Sequence, residues 1–169
     1  LLMDIKERTW SDEILDGLKI SRSLLADIFE SYEVSAKLDA KTANLTGLVE
    51  GTPIVGGGGD NAAGNVGSGI IRQGIISDSI GTSGVVFAHS DKPVYDPEGR
   101  LHSFCHAVPG KWHLMGVTLS AAGAQKWYYD TFGPSRDIEN KRPDLKKYKL
   151  LDAQAEQVAP GSDGLLFLP

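Results

Sequence analysis

Four consecutive glycines, Gly56 to Gly59, run from the apolar Pro53-Ile54-Val55 directly into Asp60 and Asn61. Glycine loses more backbone freedom on folding than any other residue, so four in a row are tolerated where another backbone or a ligand must come close. Pro53-Ile54-Val55 reads as a short buried strand. The small residues from Ala62 to Ile71 read as a tightly packed helix, although each glycine in it costs about 1 kcal/mol relative to Ala. Such packing suggests a hinge or a domain junction. The chain should therefore pass from strand through a glycine turn to a helix, with Asp60 at the mouth of the turn. Two readings of Asp60 stay open on this pattern: a helix cap, or a general base accepting a proton from a nucleophilic hydroxyl.

A second glycine punctuation follows about twenty positions later. Ile75 to Ile80 and Val85 to Ala88 flank Gly81-Thr82-Ser83-Gly84, which reads as a hairpin with glycine at its bend. The turn offers two hydroxyls and accessible backbone N–H groups, the equipment for holding phosphate oxygens. A plain hairpin turn explains the same letters. Neither G-x-x-x-x-G-K-[ST] nor G-x-S-x-G occurs, which argues against a Walker-type nucleotidase and against a serine hydrolase elbow at Ser83.

Elsewhere the pattern mixes helices and strands. The opening residues to Trp10 read as a strand with a polar turn. Ser11 with Asp12 and Glu13 forms an N-cap and acidic first turn for a short helix to Leu18. Ser23 is a candidate cap for a second helix through Leu24, Leu25, Ile28 and Phe29. Asp91 to Gly99 is a loop, and the alternation from Leu101 to Met115 predicts strands, with Trp112 to Val117 as one of them. Ser120 could cap a helix through Ala121, Ala124, Trp127 and Tyr128 that Gly133-Pro134 ends, followed by a charged surface excursion to Tyr148. The sum is an α/β or α+β architecture.

Composition limits the function classes. The 169 residues are 41% hydrophobic and 23% charged, enough for a core, and the net charge of -5 argues against a polyanion binder. No nucleic-acid partner is expected, and the basic run Lys141, Arg142, Lys146, Lys147 and Lys149 reads as solvated surface. One cysteine, Cys105, allows no intrachain disulfide, and no apolar run approaches the length of a membrane span. A cytoplasmic protein without membrane contact is expected, and the Asn44-Leu45-Thr46 glycosylation pattern is then chance. His102, Cys105, His106 and His113 fit no standard zinc spacing and read as structural, as do Trp112, Trp127, Tyr128 and Tyr129. No residue is assigned to a metal. The apolar, strand-like Gly164 to Pro169 and the start without Met suggest an internal piece of a longer protein.

The run Gly56 to Gly64, followed by Gly81-Thr82-Ser83-Gly84, resembles the FGGY carbohydrate kinase family. His102-Ser103-Phe104-Cys105-His106-Ala107, Trp112-His113-Leu114-Met115 and Leu119-Ser120-Ala121-Ala122 are similar to its xylulose kinase branch. The resemblance implies two ribonuclease-H-like (actin-like ATPase) domains with the active site between them. Residues 1–71 would end the first, sugar-binding domain and 72–169 would begin the second, ATP-binding domain. It implies Asp60 as catalytic base, Asn61 beside the sugar, Gly81, Thr82, Ser83 and Gly84 on the ATP phosphates, and Mg2+ with the nucleotide. The helix from Asn61 to Ile71 would lie on the hinge side. The expected reaction is phosphorylation of a sugar hydroxyl, foremost that of D-xylulose. Related kinases for gluconate, glycerol or ribulose, a noncatalytic sugar- or nucleotide-binding relative, and a structural domain remain alternatives. A homodimer is compatible with these readings, and the isolated piece is expected to be inactive.

Overall fold

The computed structural model describes residues 2–133 and 148–168. The expected surface excursion after Pro134 and nearly all of the basic run lie outside them. The described chain forms two compact units. One runs through Asp78 and resumes over Val85–Gly116; the other comprises Ser79–Gly84 and the described residues from Val117 onward.

The first unit opens with a minimal antiparallel pair, β1 (Met3–Asp4) and β2 (Thr9–Trp10). Helix α1 (Asp12–Leu18) follows, and the Ser11 side chain accepts from the Ile14 N–H as the sequence predicts. Its end is closed by Lys19 in the left-handed region, φ 56°. The second expected helix does not form. Arg22–Leu24 make one 3-10 turn capped by Ser21, and Leu25 is extended at φ -108°, ψ 137°. Side chains compete for the backbone acceptors. Arg22 Nη1 donates to the Leu25 carbonyl at 3.0 Å and Trp10 Nε1 donates to the Ala26 carbonyl at 2.8 Å, holding acceptors that a continuing helix would need.

Strand β3 (Val34–Lys37) pairs antiparallel with β4 (Pro53–Val55), with α2 (Ala40–Thr46) between them, capped by Asp39. Pro53–Val55 is a strand, in a two-stranded ribbon, but not a buried one: all three residues are exposed. Helix α3 (Asp60–Gly67) then stops short of Ile71. Gly69 at φ 78° turns the chain, and the Ile70 N–H bonds back to the Asn65 carbonyl at 2.8 Å, a left-handed helix terminus that only glycine adopts without cost. An added Cβ at Gly64 or Gly67 would meet nothing within 4 Å, so the tight packing expected at these two glycines is not found.

A four-stranded sheet runs in the order β5-β6-β8-β7, made of β5 (Ile76–Ile80), β6 (Gly84–Ser90), β8 (Trp112–Thr118) and β7 (His102–Cys105) at its edge. The predicted hairpin and the predicted strands around Leu101 to Met115 are thus present. β7 and β8 are antiparallel, with His102 opposite Met115 and Phe104 opposite His113. The buried residues of the first unit include Leu15, Ala43, Ala62, Ile70 and Phe87 together with His89, His106 and His113. Its core is therefore partly imidazole.

In the second unit α4 (Ala122–Phe132) and α5 (Lys149–Ala155) follow the end of β8. Ser120 does not cap α4; Ala121 holds that position with no side-chain bond. The backbone caps the helix instead, since the N–H groups of Ala121 and Gly123 donate to the Thr82 carbonyl and that of Ala122 to the Gly81 carbonyl. Tyr129 is buried, whereas Trp127 and Tyr128 stay half exposed. Leu165 to Leu168 form no strand and are exposed. No helix among the described residues is long and apolar enough to cross a membrane.

Candidate active site

The first three glycines of the run sit where a side chain would meet a close neighbour or a left-handed backbone. A Cβ on Gly56 would sit 2.5 Å from the Glu30 carbonyl oxygen, Gly57 has φ 75°, and a Cβ on Gly58 would lie 3.1 Å from that of Ala107. Side chains at the first two would clash or strain the backbone. Gly59 is the N-cap of α3, which places Asp60 as the first helical residue. The negative charge is favourable there, beside the helix's unpaired N–H groups.

Asp60 is exposed, and its Oδ1 accepts from the Asn61 N–H at 2.8 Å and from Asn61 Nδ2 at 3.3 Å. One oxygen thus satisfies a helix-terminal donor, realising the capping reading in part. Oδ2 makes no bond among the described residues and is available to a proton donor. Asn61 is fixed in turn: its carbonyl accepts from Asn65 Nδ2 at 2.8 Å, and Asn65 Oδ1 accepts from Ser77 Oγ.

Asp60 and Asn61 line a cleft of about 620 Å3 that is also bordered by Met3, Ile5 and the β7–β8 ribbon. Its volume lies in the usual range for small-molecule sites, roughly 300–1,000 Å3. His102 and Phe104 stack with ring centroids 5.8 Å apart, and Phe104 lies 5.5 Å from His113. Two lining residues, Ser103 and His113, have a buried polar atom, Oγ and Nδ1 respectively, with no partner among the described residues. Each such atom costs about 1–3 kcal/mol unless water or ligand satisfies it. The residue pattern alone reads as strand alternation here, and the family resemblance covers these residues without giving any of them a role. The pairing of His102 with Met115 and of Phe104 with His113 brings them to the Asp60 cleft, and a cross-strand register is the signal that could have found them.

Three buried imidazoles cluster at the ribbon, one of them, His113, on β8 itself. His113 stacks on Phe87 at 4.2 Å and meets His106 at 5.6 Å, while His89 and His106 are 5.2 Å apart. Burial, followed by the neighbouring His106 and His89, pushes the His113 pKa down to about 4. Burial also lowers that of His106. His106 Nδ1 accepts from the Val108 N–H at 3.0 Å, so its proton sits on Nε2, 3.1 Å from the Ile70 carbonyl. Both histidines are buried, whereas His102 is exposed at the cleft. Cys105 is half-buried, and burial raises its pKa, which disfavours the thiolate.

The Gly81–Gly84 turn belongs to the second unit. Its Gly81 N–H is taken by the Ser83 carbonyl, and the Gly81 and Thr82 carbonyls point to the start of α4. Gly81, Thr82 and Ser83 are exposed, and neither hydroxyl is engaged among the described residues. Gly84 is buried: a Cβ there would lie 2.9 Å from Thr118 Cγ2 and 3.1 Å from that of Ala121. Gly84 therefore serves packing, and Thr82 and Ser83 carry the turn's free polar groups.

Residues 1–67 match the N-terminal domain of the FGGY family of carbohydrate kinases. A xylulose kinase of Lactococcus lactis subsp. lactis (strain IL1403) is 38% identical over 169 residues, covering 100% of this chain and 32% of that protein. A gluconokinase of Bacillus subtilis (strain 168) is 32% identical, covering 99% of this chain and 33% of the relative. The chain thus spans about a third of the length of the curated relatives it matches. The crystal structure of xylulose kinase from Rhodospirillum rubrum superposes with a TM-score of 0.80 at 28% identity, over 99% of this chain and 33% of that one. The fold is accordingly the α/β, actin-like ATPase fold of those kinases, and the chain belongs to the FGGY family of carbohydrate kinases.

Proposed function

We propose that this chain is the part of a longer sugar kinase that holds the general base and the phosphate-facing turn, and that the enzyme transfers a phosphoryl group from ATP to a hydroxyl of D-xylulose. Residues 1–71 would close the sugar-binding domain and 72–169 open the ATP-binding one. The observation that carries the reading is Asp60: a carboxylate held on a glycine turn at the start of α3, exposed to a 620 Å3 cleft, with one oxygen anchored by Asn61 and the other free.

That arrangement suits the reaction. As the sugar oxygen bonds to the γ-phosphorus, its proton passes to Asp60 Oδ2, the bond to the bridging oxygen breaks, and ADP leaves with the electron pair. Positioning and charge neutralisation dominate phosphoryl transfer, and a placed base adds roughly 10²- to 10⁴-fold. Asn61 fixes the carboxylate's orientation. In the turn, exposed Thr82 and Ser83 hydroxyls fit phosphate oxygens, while the carbonyls that would repel them are occupied by the N–H groups of α4. Magnesium, when bound with ATP, would neutralise phosphate charge. ATP dependence and the single cysteine support a cytoplasmic setting.

The test is ADP release by the full-length protein with MgATP and D-xylulose, gluconate, glycerol or L-ribulose, beside Asp60→Asn. Turnover on D-xylulose that collapses in the variant supports the proposal. Turnover on gluconate instead would favour the gluconokinase-like reading and keep the mechanism. Absence of any sugar-dependent ADP release would overturn it.

A further inference from the structure

We propose that the β7–β8 ribbon is a specificity-determining wall of the Asp60 cleft, in which Phe104 packs against the carbon chain of a polyol substrate and His102 hydrogen-bonds a hydroxyl remote from the reacting one. The inference rests on the proposed reading of this cleft as a sugar site.

The register places His102, Phe104, His113 and Met115 on one face of the ribbon, because facing residues and residues two apart share a side. All four border the cleft that contains Asp60 and Asn61. Phe104 remains 40% exposed at the edge-strand end of a row of rings, in which His113 lies between it and the buried Phe87. An aromatic ring held at its side by a buried neighbour and still partly open to the cleft suits the C–H groups of a polyol. His102 stacks on the same ring and has no hydrogen-bond partner among the described residues, so both ring nitrogens are available. The unpartnered His113 Nδ1, in a side chain only 4% exposed, adds a buried polar group to the lining of the same cleft. A polar residue beside a supported apolar platform is the composition of an orienting pocket wall.

The distinguishing experiment uses the full-length protein and its His102→Ala, His102→Gln, Phe104→Ala and Phe104→Leu variants. Binding of D-xylulose and gluconate is titrated calorimetrically without nucleotide, and kcat and KM are measured for both sugars and for ATP. The two alanine variants should raise Kd and KM for the preferred sugar at least tenfold and narrow the difference in kcat/KM between sugars. KM for ATP should stay within twofold, with partial recovery in His102→Gln and Phe104→Leu. Equal loss for sugar and ATP would mark a structural role and overturn the inference. If Phe104→Ala does not fold, the exposed His102 decides the matter, since its replacement leaves the core intact. An active wild type with sugar constants unchanged in the His102 variants overturns this inference alone; a wild type that neither binds nor phosphorylates any tested sugar overturns it together with the proposed function.

Discussion

Replacing His113 by Phe should remove part of the acid sensitivity of the first unit. The substitution keeps a flat ring to stack on Phe87, 4.2 Å away and inclined by 20°, but deletes the proton-binding site. In the native chain His113 has its pKa depressed to about 4, against 6.5 for the unburied imidazole. The unfolded chain therefore takes up a proton below pH 6.5 that the folded chain refuses until about pH 4. Stability from this group is fully present above pH 6.5 and is lost as the pH falls through that window. The gap between 6.5 and about 4 corresponds to about 3 kcal/mol in total and about 2 kcal/mol by pH 5. His106 acts in the same direction, because burial disfavours its charged form. Asp91, whose Oδ1 lies 3.3 Å from His89 Nε2, is held below its usual carboxylate range first by its hydrogen bond to Lys111.

Amide hydrogen exchange of β8 in the full-length protein, corrected for intrinsic rates, reads this directly. Wild type should lose at least about 2 kcal/mol of protection between pH 7.5 and 5, and His113→Phe should lose about 2 kcal/mol less. An equal decline in both proteins would refute the assignment of the effect to His113.

Asp60→Asn should lower kcat roughly 10²- to 10⁴-fold with little change in thermal midpoint, since the side-chain oxygen can still accept from the Asn61 N–H. Gly84→Ala should destabilise the second unit by about 1–3 kcal/mol in urea unfolding, because the new methyl lies within 3.1 Å of both Thr118 Cγ2 and Ala121 Cβ. Gly64→Ala, where an added Cβ meets nothing, should stabilise α3 by up to about 1 kcal/mol in the same assay. Ser11→Ala should cost about 0.5–2 kcal/mol through loss of the Ile14 cap, read as faster exchange of α1 amides.

The features legible in the sequence are those whose cause is local. Ser11 caps α1 through a bond three residues away, and the Gly81–Gly84 bend joins two strands adjacent in the chain. The glycine run shows that a close approach is needed, although nothing in the sequence names Glu30 and Ala107 as the groups approached. Where partners are distant the reading fails. The apolar spacing of Leu24, Leu25, Ile28 and Phe29 is as helical as that of α1, yet the carbonyl of Ala26 goes to the indole of Trp10, sixteen residues upstream. Ser120 has a capping side chain, but the Gly81 and Thr82 carbonyls arrive first.

The candidate site divides along the same line. Asp60 and Asn61 stand out because a strand, a glycine turn and a small-residue helix are contiguous around them. His102 and Phe104 belong to the cleft through a strand pairing, so in sequence they share the alternation of any half-buried strand. The three buried imidazoles show the cost of that ambiguity most clearly. His106 and His113 look alike in the chain, but one has both ring nitrogens satisfied, by Val108 and Ile70, and the other leaves Nδ1 without a partner among the described residues. That difference makes His106 a fixed neutral tautomer of the core. It makes His113 the point where core and cleft meet, so its replacement by Phe should alter acid stability and sugar affinity together, whereas replacement of His102 should alter sugar affinity alone.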